Sequence, residues 1–136
     1  MQVTPYIHFA GCCEEAIAFY KEKLGARVLM LSRFGDIPEP RPEGMILPGF
    51  ENKIMHAHLQ IGDSSVMFSD GCQDSKAVFS NFALAITVKT PAEGAAFFNA
   101  LSDGGQIKMP MTATYFSPGF GMLTDRFGVD WMIYTE

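Results

Sequence analysis

An internal repeat is the feature that most constrains how this 136-residue chain can fold. Residues 15–20 (EAIAFY) reappear 78 positions later as residues 93–98 (EGAAFF), each time after an apolar stretch and before a glycine. Residues 62–69 and 128–135 also resemble each other. Repetition of this kind predicts two copies of one small unit that bury a core together rather than separately.

Hydrophobic periodicity predicts the same order of elements in both halves. Residues 12–24 and 91–101 carry apolar side chains at helical spacing. Gly25 suits the left-handed end of the first helix, and Pro91 suits the first turn of the second. Strands are predicted at residues 3–9, 27–34, 54–61, 65–69, 82–89, 106–114, 121–125 and 129–134. The repeated order of one strand, one helix and three strands indicates an α+β fold with helices outside curved sheets.

These elements place one domain over residues 1–136, with a first module at 1–70 and a second at 82–136. The segment between them is short. A proline-rich stretch, residues 35–53, interrupts the first module and is unsuited to an interior strand or helix.

Composition excludes several classes of function. A net charge of −5 with scattered Lys and Arg argues against nucleic-acid binding. The chain has no apolar run of about eighteen residues that could span a membrane. Its first residues show no secretory leader, so we expect a cytoplasmic protein. Cys12, Cys13 and Cys72 form neither a disulfide framework nor a zinc motif, and we interpret them as structural thiols.

Four segments carry a resemblance to a known family. Residues 5–11 (PYIHFAG), 15–20 (EAIAFY), 24–26 (LGA) and 124–133 (TDRFGVDWMI) resemble PhnB-like members of the vicinal oxygen chelate superfamily. That superfamily includes glyoxalase I, the bleomycin and fosfomycin resistance proteins and the extradiol dioxygenases. The resemblance implies paired βαβββ modules that form a curled mixed sheet around a cavity, a small-molecule ligand, and assembly as a homodimer.

The resemblance also implies where a metal would bind. Metal-dependent relatives use two His or Gln residues on the first strands of the modules and two carboxylates on the last strands. Alignment of the two halves places these four positions at Pro5, Phe68, Ala83 and Met132, and none of those side chains can bind a hard divalent ion. We therefore expect no metal at the usual site and no other cofactor. A metal held elsewhere, by His56 and His58 with a carboxylate, remains the alternative.

Candidate site residues follow from the alternation of side chains along strands. On residues 54–61, the polar side chains share one face, which we predict to be the cavity face. His56 and His58, with Asp70 nearby, are the candidate catalytic groups, since imidazole titrates near neutrality. The candidate ligand-binding residues are Ile7, Phe9, Gln60, Phe68, Phe116, Phe120 and Met132. The same alternation predicts Trp131 on the opposite, core-facing side.

Two functions remain open. The first is a glyoxalase/bleomycin-resistance-type protein that binds a small aromatic or amphipathic molecule without changing it. The second is a glyoxalase-like lyase or isomerase that acts on a small carbonyl substrate, with or without a metal. A methyltransferase is disfavoured because the chain has no Gly-x-Gly-x-x-Gly motif after a strand and no doubly wound pattern.

Overall fold

The computed structural model describes residues 1–71 and 76–136. Cys72, one of the three cysteines considered above, lies outside the described residues. The chain divides into two compact units, Met1–Ala77 and Val78–Glu136. The predicted modules, 1–70 and 82–136, fall one within each unit.

The first unit is a four-stranded mixed sheet with one long helix. The elements are β1 (Tyr6–His8), α1 (Cys13–Leu24), β2 (Arg27–Arg33), β3 (Ile54–Ile61) and β4 (Ser64–Ser69). The strand order is β1-β4-β3-β2, in which β1 runs parallel to β4 and the other pairs are antiparallel. A single turn of 3-10 helix, Phe34–Asp36, follows β2, and the proline-rich residues after it form neither helix nor strand.

The second unit has the same topology. Its elements are β5 (Leu84–Val88), α2 (Pro91–Ser102), β6 (Gln106–Thr112), β7 (Phe120–Thr124) and β8 (Asp130–Thr135). The strand order is β5-β8-β7-β6, in which β5 runs parallel to β8 and the remaining pairs are antiparallel. The predicted α+β fold of paired βαβββ modules is confirmed. That the sheets curl around a cavity stays a prediction.

Local sequence explains where both helices begin and end. Gly25 ends α1 with φ 66°, a left-handed conformation in which its N–H donates to Lys21 O and the next N–H, that of Ala26, donates to Tyr20 O. Thr90 begins α2, where its side-chain oxygen accepts a hydrogen bond from the Glu93 N–H at 3.2 Å. Pro91 then occupies the first helical position, where its missing N–H costs nothing.

Each helix packs on one face of the sheet of its own unit. In the first unit, Tyr20 of α1 contacts Phe68 of β4, with ring centroids 5.6 Å apart. In the second, a Cβ at Gly121 of β7 would lie 2.8 Å from Phe98 of α2, so only glycine permits this close approach. Trp131 is buried on the helix-facing side of β8, as its position in the strand predicts. We call the opposite side of each sheet its open face.

One edge strand of each sheet, β2 in the first and β6 in the second, exposes apolar side chains. In β2, four consecutive apolar residues remain accessible: Val28 (37%), Leu29 (52%), Met30 (52%) and Leu31 (39%). Ile107 and Met109 of β6 are exposed in the same way. Edge strands of this kind offer unpaired backbone groups to other chains.

None of the helices in residues 1–71 and 76–136 combines the length and the apolar character needed to cross a membrane.

Candidate functional site

The open face of the first sheet carries all three histidines of the chain. Directly paired residues of a sheet project from the same face. His58 pairs with Met67 of β4 and with Met30 of β2, and Met67 pairs with Tyr6 of β1. His56 lies two residues from His58 and His8 two residues from Tyr6, so both share this face. We call Tyr6, His8, His56 and His58 the histidine face.

The helix-facing side of the same sheet is fully apolar where it meets α1. Ala57 and Leu59, which alternate with the histidines, are completely buried. The predicted division of β3 into an apolar face and a face with His56 and His58 is therefore correct.

Three of the predicted ligand-binding residues lie on the helix-facing side of the first sheet, so their assignment to the ligand site is wrong. Phe68 pairs with Ala57 and with Ile7, so all three side chains lie on the helix-facing side. Phe9 is completely buried and makes an edge-to-face contact with Phe68 at 5.4 Å. Ile7, Phe9 and Phe68 are thus core residues packed beneath α1, and not the lining of an open cavity.

The error is a slip of one residue in the comparison of the two halves. The four implied metal positions match Phe68 of β4 with Met132 of β8. Register shows that Met67, paired with Tyr6, corresponds to Met132, paired with Ala85. A slip of one residue exchanges the two faces of a strand.

Hydrogen bonds join the side chains of the histidine face into two short networks. The Tyr6 hydroxyl lies 2.8 Å from His56 Nδ1, and the Tyr6 ring stacks on the His8 ring with centroids 4.7 Å apart. His8 Nδ1 lies 3.0 Å from the Ser69 hydroxyl, which in turn accepts a hydrogen bond from the Gly71 N–H. One phenol ring therefore contacts two imidazoles, and the Nδ1 atom of each has a partner.

His58 and Gln60 differ in how many of their side-chain polar atoms have hydrogen-bond partners. The Gln60 amide oxygen accepts a hydrogen bond from Arg27 at 2.7 Å, and its NH₂ group donates to Gly62 O. By contrast, His58 Nε2 is buried without a hydrogen-bond partner among the described residues, as is the Ser32 hydroxyl on the same face. Buried polar atoms without partners are uncommon in folded proteins.

Asp70 has a structural role that its place in the sequence did not reveal. The side chain is completely buried, and its Oδ1 accepts hydrogen bonds from the N–H groups of Gly11 (2.8 Å) and Cys13 (3.0 Å). Its Oδ2 accepts from the Ile54 N–H at 3.0 Å. Asp70 therefore ties the start of α1 to the start of β3. We correct its assignment as a catalytic group, because both oxygens are already engaged by backbone donors.

Burial also determines the chemistry of the two described thiols. Burial, followed by the nearby charge of Asp70, raises the pKa of Cys13 far above its ordinary value. The same two causes raise the pKa of Cys12. Both residues are free thiols. A protonated, shielded thiol is a poor nucleophile, so neither residue is suited to covalent catalysis.

The open face of the second sheet is lined by methionine and aromatic side chains. Met132 pairs with Met122, and Tyr134 pairs with Phe120. Phe116, from the loop before β7, stacks nearly parallel to Tyr134 and makes an edge-to-face contact with Phe120 at 5.1 Å. Met132 lies on this open face as predicted, and the structure brings Phe116 and Phe120 together in one aromatic cluster.

The positions that the resemblance implies for a metal, Pro5, Phe68, Ala83 and Met132, carry no metal ligand. The neighbouring strand pairs on the open faces are Tyr6 with Met67 in the first unit and Ala85 with Met132 in the second. None of these side chains offers a charged or imidazole ligand. Asp130 is the nearest carboxylate on β8, but its Oδ1 accepts from Thr124 at 2.5 Å and lies 3.3 Å from Lys108 Nζ. Within residues 1–71 and 76–136, no three His, Cys, Asp or Glu side chains could together hold a metal ion.

Sequence reasoning missed two members of the site. Tyr6 and Ser69 were not among the predicted site residues, although both contact imidazoles. The signal was present in β1, where Tyr6 and His8 alternate with the apolar Ile7. The distant partners of these residues could not be read from local pattern.

Comparison with known proteins places this geometry in a family. The profile of the Glyoxalase/Bleomycin resistance protein/Dioxygenase superfamily matches residues 5–133. The chain is 39% identical to Protein YjdN of Escherichia coli (strain K12) over 140 residues, which cover 98% of this chain and 94% of YjdN.

Solved structures agree with that match. The crystal structure of protein PA1353 from Pseudomonas aeruginosa is 37% identical, with a TM-score of 0.85 over 100% of this chain and 98% of that one. A Bacillus cereus structure described as a putative 3-demethylubiquinone-9 3-methyltransferase, PhnB protein, is 27% identical, with a TM-score of 0.80 and complete coverage of both chains. The chain therefore belongs to the glyoxalase/bleomycin resistance/dioxygenase superfamily.

Proposed function

We propose that this protein binds a small molecule at the histidine face and holds no metal at the positions its superfamily uses. The proposal rests chiefly on one observation: three histidines and a tyrosine share one open face whose reverse side is a closed apolar core. Polar groups set among apolar side chains are typical of sites that orient a small ligand.

The surroundings of these polar groups support the same proposal. Met67 and Met30 lie in one row with Tyr6 and His58, and they supply adaptable apolar contacts. The buried His58 Nε2 has no partner among the described residues. Met30, the strand partner of His58, is about half exposed, so this part of the face is open to a ligand. A ligand with an apolar body and a polar end that contacts this nitrogen would satisfy it.

A lyase or isomerase that acts on a small carbonyl substrate is the second candidate. The observation in its favour is the 2.8 Å contact between the Tyr6 hydroxyl and His56 Nδ1. A histidine oriented by a second group through one nitrogen can exchange a proton through the other. We rank it second because Asp70, the one carboxylate predicted to assist, is committed to three backbone N–H groups.

A methyltransferase is not part of the proposal, although the Bacillus cereus relative carries that description as a putative activity. The part of the chain that the structure describes forms two four-stranded mixed sheets, neither of which is the doubly wound sheet on which nucleotide-like cofactors usually bind. A homodimer, which the resemblance implies, is retained as part of the proposal and is testable by sedimentation equilibrium.

The first experiment measures metal content in untagged protein, followed by thermal unfolding with Ni, Zn, Mn, Fe and Mg ions. We expect less than stoichiometric metal and no large stabilisation by any ion, since the usual positions carry no ligands. A ligand-detected NMR screen of small aromatic acids and carbonyl compounds then follows. Hits should weaken with His58→Ala but not with Glu14→Gln, an exposed residue of α1. Stoichiometric metal, or hits insensitive to His58→Ala, would contradict the proposal.

A further inference from the structure

The two networks of the histidine face determine which nitrogen of each imidazole carries its proton. This inference rests on the proposed function and adds the chemistry of the ligand. We propose that Tyr6 and Ser69 hold His56 and His8 as tautomers protonated at Nε2, so that both present N–H donors and select a ligand oxygen that accepts hydrogen bonds.

The tautomer of His8 follows from the needs of Ser69. The Ser69 side chain is 2% exposed, and its oxygen accepts a hydrogen bond from the Gly71 N–H at 3.0 Å. Its own hydroxyl proton still requires an acceptor, because a buried donor left unsatisfied is costly. Among the described residues, His8 Nδ1 at 3.0 Å is the acceptor that the hydroxyl reaches. His8 Nδ1 must then be unprotonated, and the proton of the neutral ring lies on Nε2.

The tautomer of His56 follows from the chemistry of its contact with Tyr6. A phenol O–H is a better donor than a neutral imidazole N–H, and an imidazole nitrogen is a better acceptor than a phenol oxygen. The 2.8 Å contact is therefore an O–H···N bond donated by Tyr6 to His56 Nδ1. A hydrogen bond of this kind to one ring nitrogen fixes both the tautomer and the ring orientation of a histidine. The His56 proton accordingly lies on Nε2 as well.

Two donors beside one phenol ring define the kind of ligand. The Tyr6 ring contacts both imidazoles, at centroid distances of 4.7 Å to His8 and 5.6 Å to His56. Neither Nε2 atom has a hydrogen-bond partner within residues 1–71 and 76–136. Such a pair matches a carbonyl or carboxylate oxygen, whereas the two N–H groups cannot accept a hydrogen bond from an ammonium group. Tyr6 and Ser69 act as positioning residues, since they reach the ligand only through the histidines.

The first test needs no ligand. Long-range ¹H–¹⁵N spectra of ¹⁵N-histidine-labelled protein, recorded above the pH at which the imidazoles are charged, distinguish the two tautomers directly. We expect His8 and His56 to show the pattern of protonated Nε2. Tyr6→Phe keeps the ring but removes the hydroxyl, and it should convert His56 to a mixture of tautomers while His8 remains unchanged. Ser69→Ala should do the reverse. Tyr134→Phe, which removes a hydroxyl of the second unit, is the matched control and should change neither.

The second test uses benzoate and benzylamine as probes of equal size. We expect benzoate, and not benzylamine, to shift the His8 and His56 resonances, with an affinity about three- to tenfold weaker in Tyr6→Phe. The positioning roles would be overturned, whatever the protein binds, by a protonated Nδ1 in either wild-type histidine. They would also be overturned if Tyr6→Phe and Ser69→Ala left the tautomers unchanged. Tautomers as expected with preference for benzylamine would overturn the acceptor assignment. Expected tautomers with neither probe bound would overturn both that assignment and the proposed ligand face.

Discussion

Replacing Asp70 tests whether this carboxylate is structural, as its contacts indicate. The buried side chain accepts hydrogen bonds from the N–H groups of Gly11, Cys13 and Ile54 at 2.8, 3.0 and 3.0 Å. A hydrogen bond to a charged group contributes about 1.5–3 kcal/mol, and the three share one desolvation cost. We therefore expect Asp70→Ala to lower the free energy of unfolding by roughly 4–5 kcal/mol.

Asp70→Asn removes the charge of the side chain but keeps its shape, so it tests the two contributions separately. The amide oxygen can still accept from Gly11 and Cys13, but an NH₂ group would then face the Ile54 N–H. The hydrogen bond from the Ile54 N–H is lost and this N–H then faces the amide NH₂ group, so we expect the free energy of unfolding to fall by about 2–3 kcal/mol.

Urea denaturation followed by far-ultraviolet circular dichroism measures both changes. Asp63→Asn, in the exposed turn between β3 and β4, is the matched control and should stay within about 0.5 kcal/mol of the wild type. An Asp70→Asn protein as stable as that control would refute the structural role and return Asp70 to the catalytic candidates.

Three further substitutions test other parts of the fold. Gly121→Ala should destabilise by about 1–3 kcal/mol in urea titrations, because its Cβ would lie 2.8 Å from Phe98; an unchanged midpoint would contradict the close approach. Trp131→Phe should cost about 1–3 kcal/mol, since it removes the buried 2.9 Å bond from the indole N–H to Asp125; a neutral result would show that the bond adds nothing. Cys13→Ala concerns pH. Burial raises the pKa of the Cys13 thiol in the folded protein, so the unfolded chain loses this proton first as pH rises past about 8.5. Wild-type stability should therefore fall more steeply than that of Cys13→Ala between roughly pH 8 and 10, by at most about 1.4 kcal/mol per pH unit. Parallel pH profiles would contradict the raised pKa.

Most of the fold could be predicted from the sequence because its signals are local. The period of the apolar side chains located both long helices and the eight strands of the described residues to within a few residues. The glycine at the end of α1 and the proline at the start of α2 fixed helix ends through backbone geometry alone. The alternation in β3 correctly separated His56 and His58 from Ala57 and Leu59.

The site was harder to predict because it depends on register between distant strands. A match of Phe68 with Met132 is one residue out of register, because strand pairing puts Phe68 in the core and Met67, like Met132, on the open face. The partners of Asp70 at the start of α1, Gly11 and Cys13, lie more than 50 residues away in sequence, and Tyr6 lies 50 residues from His56. Hydrogen bonds at that separation follow from tertiary structure, and no local pattern encodes them.

The exposed edge strand β2 bears on how two copies of the protein can meet. Two antiparallel copies of β2 overlap fully when they are centred on Met30, and that register would set Arg27 of one copy opposite Arg33 of the other. Like charges directly opposite each other destabilise a strand pair. The two arginines, at the two ends of an exposed apolar run, therefore disfavour pairing between two copies of β2. A dimer of this protein is accordingly expected to form through another surface.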